Sequence, residues 1–261
     1  MKFIFDKYQS TGNDFILLDN RQSTYDQITT EQVKKMCDRH FGIGADGLML
    51  LNNKKGFDFE MIYYNADGIE GSLCGNGGRS ITQFANKLGI KKKEYLFSAT
   101  DGDHKAVIDF DKEVKLQMGD VKNLEFSLDH YVLNTGSPHY VKYVNGIQEI
   151  AVVEEGRKIR NSKDFAEKGI NVNFVEKLGK DTIYVRTYER GVEDETLSCG
   201  TGLTASALVS AHNENGFNRV EVKTKGGNLS VEFDKKSDTE FVDIWLCGPA
   251  TFVFSGEIEL D

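Results

Sequence analysis

The sequence predicts an α+β fold of two pseudo-symmetric domains, each a mostly antiparallel sheet or barrel curled around a central helix, with the active site in the interdomain cleft. Three observations predict it. Leu73-Cys74-Gly75-Asn76-Gly77-Gly78 recurs 125 positions later as Ser198-Cys199-Gly200-Thr201-Gly202-Leu203. Around it, Thr11-Gly12 recurs as Thr135-Gly136 and Gly102 as Gly227, while Gly119 and Gly248 each close an alternating run. The segment after Cys199 is nearly all Ala, Ser, Leu and Val, so as a helix it has no polar face and must be surrounded. This period is too long for a solenoid, whose repeats are roughly 20 to 50 residues, and suits a small domain of about 100 to 150. Residues 1–119 with 250–261 are expected to form the first half and 120–249 the second.

The first half opens with the apolar runs Phe3-Ile4-Phe5 and Phe15-Ile16-Leu17-Leu18, strand-length pieces separated by the turn-prone Thr11-Gly12-Asn13-Asp14. A helix follows, because Thr29 with Gln32 forms a capping box and Val33, Met36 and Cys37 share one face; Gly42 supplies its stop and Cys37 is a core thiol. Strands at Leu48–Leu51 and Phe59–Tyr64 lead through the loop Asn65-Ala66-Asp67-Gly68 to Cys74. The next helix carries Ile81, Phe84, Ala85 and Leu88 on one face and ends at Gly89. Alternation up to Gly119 reads as half-buried antiparallel strands. The second half repeats the plan, with strands at Tyr131–Leu133, Tyr140–Val144 and Ile183–Tyr188, and a helix from Cys199 through Leu203, Ala207, Leu208 and Ala211 to Gly216. Glu154–Lys168 is a helical or loop excursion.

Composition narrows the function. A net charge of −9 over 261 residues argues against a nucleic-acid surface, which needs a basic face. No apolar run approaches the ~18 to 20 residues of a membrane span, and Lys2, Asp6 and Lys7 break up the only early apolar stretch, so a cytoplasmic protein is expected. Four cysteines without a CxxC pair, and five scattered histidines, give neither a metal-ligand pattern nor a secreted disulfide framework.

The repeated cysteines carry the chemistry. A cysteine immediately before a helix sits beside unsatisfied backbone amides and about half a positive charge, a setting that can lower a thiol pKa from ~8.5 toward neutrality. Gly75, Gly77, Gly78, Gly200 and Gly202 leave room for a ligand at that backbone. Two such cradles would hold one carboxylate between two helix starts, with a sulfur on either side of the adjacent carbon. A thiolate on one face would take the α-hydrogen while a thiol on the other donates one, and the two helix ends would stabilise the carbanion's charge.

Other readings remain open at this point. A lone buried cysteine is more often structural, and the duplicated context is what argues otherwise here; Cys247 lacks that context and reads as packing. A Cys74–Cys199 disulfide would be an oxidised, inactive form. A hydrolase with His139 as base is the rival enzyme class, though it leaves the second cysteine unexplained. Gly42-Ile43-Gly44-Ala45-Asp46-Gly47 matches GxGxxG but follows a helix and precedes a strand, the reverse of a dinucleotide fingerprint. No cofactor motif is present, so the α-proton chemistry is expected to run without one.

Gly12-Asn13-Asp14-Phe15, Asn65-Ala66-Asp67-Gly68, Cys74-Gly75-Asn76-Gly77-Gly78-Arg79, Tyr188-Glu189-Arg190-Gly191 and Cys199-Gly200-Thr201-Gly202 together closely resemble the diaminopimelate epimerases over essentially the whole chain. The resemblance implies a cofactor-independent, two-base epimerase that interconverts LL- and meso-diaminopimelate for lysine and cell-wall synthesis, acting as a homodimer on a small amino-acid substrate. It makes Cys74 the proton donor and Cys199 the acceptor from LL to meso. Backbone amides at Gly75-Asn76 and Gly200-Thr201 would hold the α-carboxylate, and Asn65, Asn171 and Arg190 the distal amino-acid end. Asn13 and Glu189 would lie around the α-amino group, and His139 with Glu189 would tune the cysteines. Three departures stand out: Ser137 replaces an Asn before Pro-His and leaves a weaker or water-bridged distal contact, Gly47 replaces a Gln found in some members, and Gly191–Thr196 is two residues longer than usual. The related proline racemases and hydroxyproline epimerases are disfavoured by Arg190 and the asparagines, and a non-catalytic amino-acid-binding module by the two sulfurs.

Overall fold

Thr11 and Gly12, both at positive φ (49° and 86°), turn β1 (Lys2–Ser10) directly into β2 (Asn13–Asp19), with Ser10 paired to Asn13. A two-residue turn of this kind matches the twist of a hairpin, and glycine takes its place there without strain. The computed structural model describes residues 1–211 and 214–260. They divide into two units, Met1–Leu116 with Gly248–Asp261, of which residue 261 lies outside the described residues, and Gln117–Cys247.

In the first unit α1 (Thr30–Cys37) follows the hairpin, opened by the Thr29–Gln32 capping box and burying Val33, Met36 and Cys37. Burial pushes the Cys37 thiol up to about 12, as befits a core thiol. Through α1 the chain reaches β3 (Gly47–Asn52), parallel to β2, and then β4 (Phe59–Asn65) and the short β5 (Glu70–Gly71), both antiparallel to their predecessors. α2 (Gly75–Lys87) leads to β6 (Glu94–Ala99), parallel to β4, and on to β7 (Gly102–Ile108) and β8 (Val114–Gln117), antiparallel in turn. α2 packs on β1, β2, β3 and β7. It ends as expected at Gly89 (φ 92°), whose amide bonds the Asn86 carbonyl while that of Ile90 bonds the Ala85 carbonyl, a Schellman closure.

The second unit repeats this order. β9 (Leu124–Ser127), β10 (His130–Asn134) and β11 (Pro138–Tyr143) are antiparallel neighbours. α3 (Val152–Arg160) crosses to β12 (Asn171–Lys177), parallel to β11, and β13 (Thr182–Glu189) and β14 (Asp194–Thr196) follow antiparallel. The longer segment after Arg190 is thus absorbed in a hairpin. α4 (Gly200–Val209) leads to β15 (Gly216–Thr224), parallel to β13, then β16 (Gly227–Lys235) and β17 (Phe241–Gly248). The chain then returns to the first unit as β18 (Thr251–Glu259), antiparallel to β1.

The result is the α+β class expected, with parallel pairs only where a helix crosses over, and each sheet has two kinds of helix against it. α1 and α3 lie on one face, over Ile16, Leu18, Leu48 and Leu50 in one unit and over Tyr140, Val172 and Phe174 in the other. α4 contacts β10, β11, β12, β13, β15 and β16, and Leu203, Ala205, Ala207 and Leu208 share a core with valines of those strands. A helix touched by six strands needs no polar stripe, which accounts for its composition.

Two helix ends differ from the sequence expectation. α1 is capped at Asp38, and Gly42 is not its stop. Instead the chain folds back so that the amides of Ile43 and Gly44 reach the Met36 carbonyl and that of Ala45 the Cys37 carbonyl. A Cβ on Gly42 would lie 1.9 Å from the Lys35 carbonyl oxygen, so only glycine allows the approach. The GxGxxG segment therefore finishes a helix. α4 ends at Val209, short of Ala211 and Gly216, because the Tyr143 hydroxyl takes the Val209 carbonyl and the buried Ser210 hydroxyl folds onto the Ser206 carbonyl. Residues 212–213 of that expected run lie outside the described residues, and Gly216 (φ 107°) opens β15.

Candidate active site

Cys74 and Cys199 are the N-cap residues of α2 and α4, both in extended conformation, and neither side chain makes a capping hydrogen bond. The first amides of a helix have no intrahelical acceptor and carry partial positive charge. Neither first turn contains an acid that would neutralise it. Each start is therefore an anion cradle with a sulfur at its mouth, and none of the four cysteines is in a disulfide. Among the described residues, no group of His, Cys, Asp and Glu is assembled to hold a metal ion.

In the first unit the half-buried Cys74 sulfur lies 3.5 Å from Asn13 Oδ1. The Asn13 amide has one sensible orientation, because Nδ2 donates to Asp46 Oδ2 at 2.6 Å and a reversed amide would set oxygen against carboxylate. Asn13 Oδ1 therefore faces Cys74 and Asn76 Nδ2 (3.3 Å), and since it only accepts, Cys74 meets it as an S–H donor. Arg39 bridges Asp46 and Asp14, and Lys7 pairs with Asp14. Burial works against the Asp14 charge, but these two cations hold its carboxyl well below the usual range. Beneath the helix start, the buried Arg79 donates to the Gly75 carbonyl (3.2 Å), Asn76 Oδ1 (2.9 Å) and Thr11 Oγ1 (3.4 Å), which fixes the Asn76 amide in turn.

In the second unit the buried Cys199 sulfur lies 3.6 Å from Thr201 Oγ1, which is 2.9 Å from His139 Nε2. Thr135 holds the Thr201 carbonyl at 2.8 Å. His139, at the start of β11, is fully buried; burial, and then the Arg190 charge, push its pKa down to about 3, so the imidazole is neutral around pH 7. Its other nitrogen, Nδ1, is 3.1 Å from Asn173 Nδ2. Beside it, Ser137 Oγ accepts from Asn171 Nδ2 (2.9 Å) and Arg190 Nη2 (3.3 Å), which leaves its own proton to donate. Asn171 Oδ1 takes the Arg190 amide at 2.9 Å, and Arg190 Nη1 reaches the Lys168 carbonyl at 3.0 Å. Glu189 accepts the Thr196 hydroxyl at 2.8 Å.

Of the residues expected from sequence, Asn13, Cys74, Gly75 and Asn76 stand together in the first unit. Ser137, Asn171 and Arg190 form one group in the second, and His139, Cys199, Gly200 and Thr201 another. Asn65, at the end of β4, bonds the Ile69 carbonyl of its own turn. Three of the glycines also have a packing reason that the sequence did not show. A Cβ on Gly77 would lie 2.7 Å from Met49 Cε, on Gly78 3.0 Å from the Leu116 side chain, and on Gly202 2.3 Å from Asn173 Oδ1. At all three a side chain would meet the interior of its own unit, most severely at Gly202. Gly47 likewise would meet the Tyr63 ring at 2.5 Å, so no side chain is admitted there. Sequence reasoning missed Asp46, the role of Arg79, and Asn173; only Asn173 left a signal, as a second polar residue at period two in an apolar strand.

The family model described as Diaminopimelate epimerase matches residues 5–124 and 131–253. Named relatives agree: a diaminopimelate epimerase of Flavobacterium psychrophilum is 46% identical over 97% of this chain and 98% of its own length, and that of Chlorobaculum tepidum 44% over 95% and 98%. Among solved structures, a phenazine biosynthesis protein of the PhzF family from Bacillus anthracis superposes with a TM-score of 0.73 at 14% identity, covering 100% of both chains. A hydroxyproline epimerase from Agrobacterium vitis, solved with trans-4-hydroxy-L-proline, gives 0.69 at 13%, covering 100% of this chain and 93% of its own. At such identities these two similarities concern the fold.

Proposed function

Because the chain belongs to the diaminopimelate epimerase family, we propose that it interconverts LL- and meso-2,6-diaminopimelate by moving an α-proton between two thiols of its own, Cys74 and Cys199, without a cofactor. The observation that carries this reading is the duplicated helix start: two cysteines outside any disulfide, each an N-cap, each with no acid in its first turn.

The substrate α-carboxylate binds the amides of Gly75-Asn76 and Gly200-Thr201. Cys199, as thiolate, takes the α-hydrogen of the LL isomer; the C–H electron pair stays on the carbon and spreads onto the carboxylate, where the helix ends stabilise it without reorganising. Cys74 gives its S–H proton to the opposite face and is left as thiolate, and the carbon is inverted. The reverse reaction exchanges the roles. The polarity of the neighbours supports this assignment, with an accepting amide oxygen beside Cys74 and a hydroxyl beside Cys199. Asn13 and Glu189 surround the α-amino group, and His139 and Glu189 tune the sulfurs. Ser137, Asn171, Arg190 and Asn65 receive the distal amino-acid end, the Arg190 guanidinium matching its carboxylate. That group supports a substrate with a second charged end over a cyclic imino acid. We also propose a homodimer in the cytoplasm, to be checked by sedimentation.

The test is deuterium uptake at the α-carbon of LL-diaminopimelate in heavy water, with reductant, for the parent and for Cys74→Ser and Cys199→Ser. Uptake with meso product in the parent, suppressed in both variants, is expected. Absence of uptake in the parent rejects the reading.

A further inference from the structure

The two units fill equivalent positions beneath their helix starts with opposite chemistry. In the first, Phe15, Met49 and Tyr63 pack there; at an offset of 124 the second has His139, Asn173 and Thr187. The strand registers coincide, with Met49 opposite Tyr63 and Asn173 opposite Thr187. All six are buried. The fold thus has no need of polar groups at these places, and a polar trio buried there is tolerated only if its hydrogen bonds are made.

They are made, and in one sense only. Asn173 Nδ2 donates to the Tyr140 carbonyl at 3.0 Å, which can only accept, so the amide cannot be reversed; Asn173 Oδ1 accepts the Thr187 hydroxyl at 2.9 Å. The second Nδ2 hydrogen faces His139 Nδ1 at 3.1 Å. That nitrogen is then the bare one, and the single ring proton of a neutral imidazole sits on Nε2, directed at Thr201 Oγ1. A hydroxyl that accepts from the ring keeps its own proton to give, and the Cys199 sulfur is 3.6 Å away. The helix start is cut to seat the pair: a Cβ on Gly202 would lie 2.3 Å from Asn173 Oδ1 and 3.3 Å from His139 Cε1.

We propose that Asn173, with Thr187 behind it, is a positioning residue that locks His139 as the neutral Nε2–H tautomer and thereby turns the Thr201 hydroxyl proton onto Cys199, stabilising it as the proton-accepting thiolate; the proposal rests on the two-thiol reading above. Asn173 and Thr187 are both buried and act through His139. From Asn173 the effect travels through three hydrogen bonds, and it is confined to one of the two sulfurs.

Two measurements on the substrate-free enzyme test it. In two-bond ¹⁵N–¹H correlation of the histidine rings, His139 is expected to show a protonated Nε2 and a bare Nδ1 throughout about pH 5 to 9; a proton on Nδ1, or an imidazolium, overturns the proposal. The second is the pH profile of alkylation by iodoacetamide. Asn173→Leu keeps the shape and removes the amide. In a Cys74→Ser background it is expected to slow Cys199 alkylation at pH 7 about tenfold by moving the midpoint upward. In a Cys199→Ser background the Cys74 midpoint is expected to stay where it was. Equal change at both sulfurs, or at neither, overturns the proposal, and if Asn173→Leu fails to fold the ring signals of the parent decide alone. Neither measurement uses diaminopimelate, so failure of the tautomer leaves the epimerase reading standing, and failure of turnover leaves the tautomer to be read.

Discussion

Cys74 and Cys199 occupy the same place in two copies of one plan, yet the groups around them have opposite polarity. Beside Cys74 is the Asn13 oxygen, held in place by Asp46; beside Cys199 is a threonine hydroxyl backed by His139. Duplication of a fold copies what the backbone provides, here an N-terminal dipole and a set of amides, and copies it equally. Equal environments would give the two sulfurs equal proton affinity. A pair that passes a proton across a carbon needs one sulfur loaded and the other empty, so the inequality has to come from side chains. On the proposed reading few of them supply it: Asn13 and Asp46 on one side, Thr201, His139 and Asn173 on the other.

The comparison breaks most completely if either sulfur is removed. Cys74→Ala and Cys199→Ala are each expected to lower kcat for meso formation at least about 10³-fold; a variant retaining near-parent turnover would show that the pair is not the catalyst. Making the second unit like the first is the next largest change. His139→Phe installs the residue that Phe15 already represents, so folding should survive while kcat falls about 10²-fold. It also has a pH signature. His139 stays uncharged when folded, with its pKa down to about 3, whereas in the unfolded chain it protonates near 6.5. The unfolded state therefore binds the extra proton, and stability is lost as pH falls from about 6.5 toward 3, by up to roughly 1.4 kcal/mol per pH unit. Urea denaturation at pH 7 and pH 5 should show a smaller difference in His139→Phe than in the parent.

The glycines sharpen the same contrast at the level of packing. Gly202→Ala drives a methyl against the Asn173 amide, which three hydrogen bonds hold in place, and about 2 to 3 kcal/mol of destabilisation is expected. Gly77→Ala meets only the tip of Met49, a side chain that can swing aside, and about 1 kcal/mol suffices. Equal losses in chemical denaturation would contradict this account. The smallest effect is expected from Asp46→Asn, which frees the Asn13 amide: Cys74 alkylation at pH 7 should quicken about threefold with Cys199 unaffected.

What the sequence reveals and what it withholds follow from the range of each interaction. The Thr29–Gln32 box and the Gly89 closure were legible because their partners lie within one helical turn. The paired cysteines were legible because a repeat is visible without knowing any contact. Gly42 and Gly216 were misread as helix stops, since glycine announces a close approach or a positive φ without naming the element that needs it. Asp46 and Asn173 could not be assigned, because each acts across strands on a residue more than thirty positions away in the chain. Asn171 and Asn173 alternate with Val172 and Phe174, a pattern that on its own reads as a strand with its polar face outward, whereas both asparagines are buried.

The strand β18 has a consequence for how the protein is made. It pairs along nearly the whole length of β1, yet the whole of the second unit is synthesised between the two. The second unit is contiguous and can close on the nascent chain, while the first carries an open edge with Phe3 and Phe5 in it until β18 emerges. During that interval the edge is a template for aggregation, since unpaired strands recruit other chains. Order of assembly is thus set against order of synthesis, and a chaperone that shields an extended apolar segment would act on this half and not on its twin.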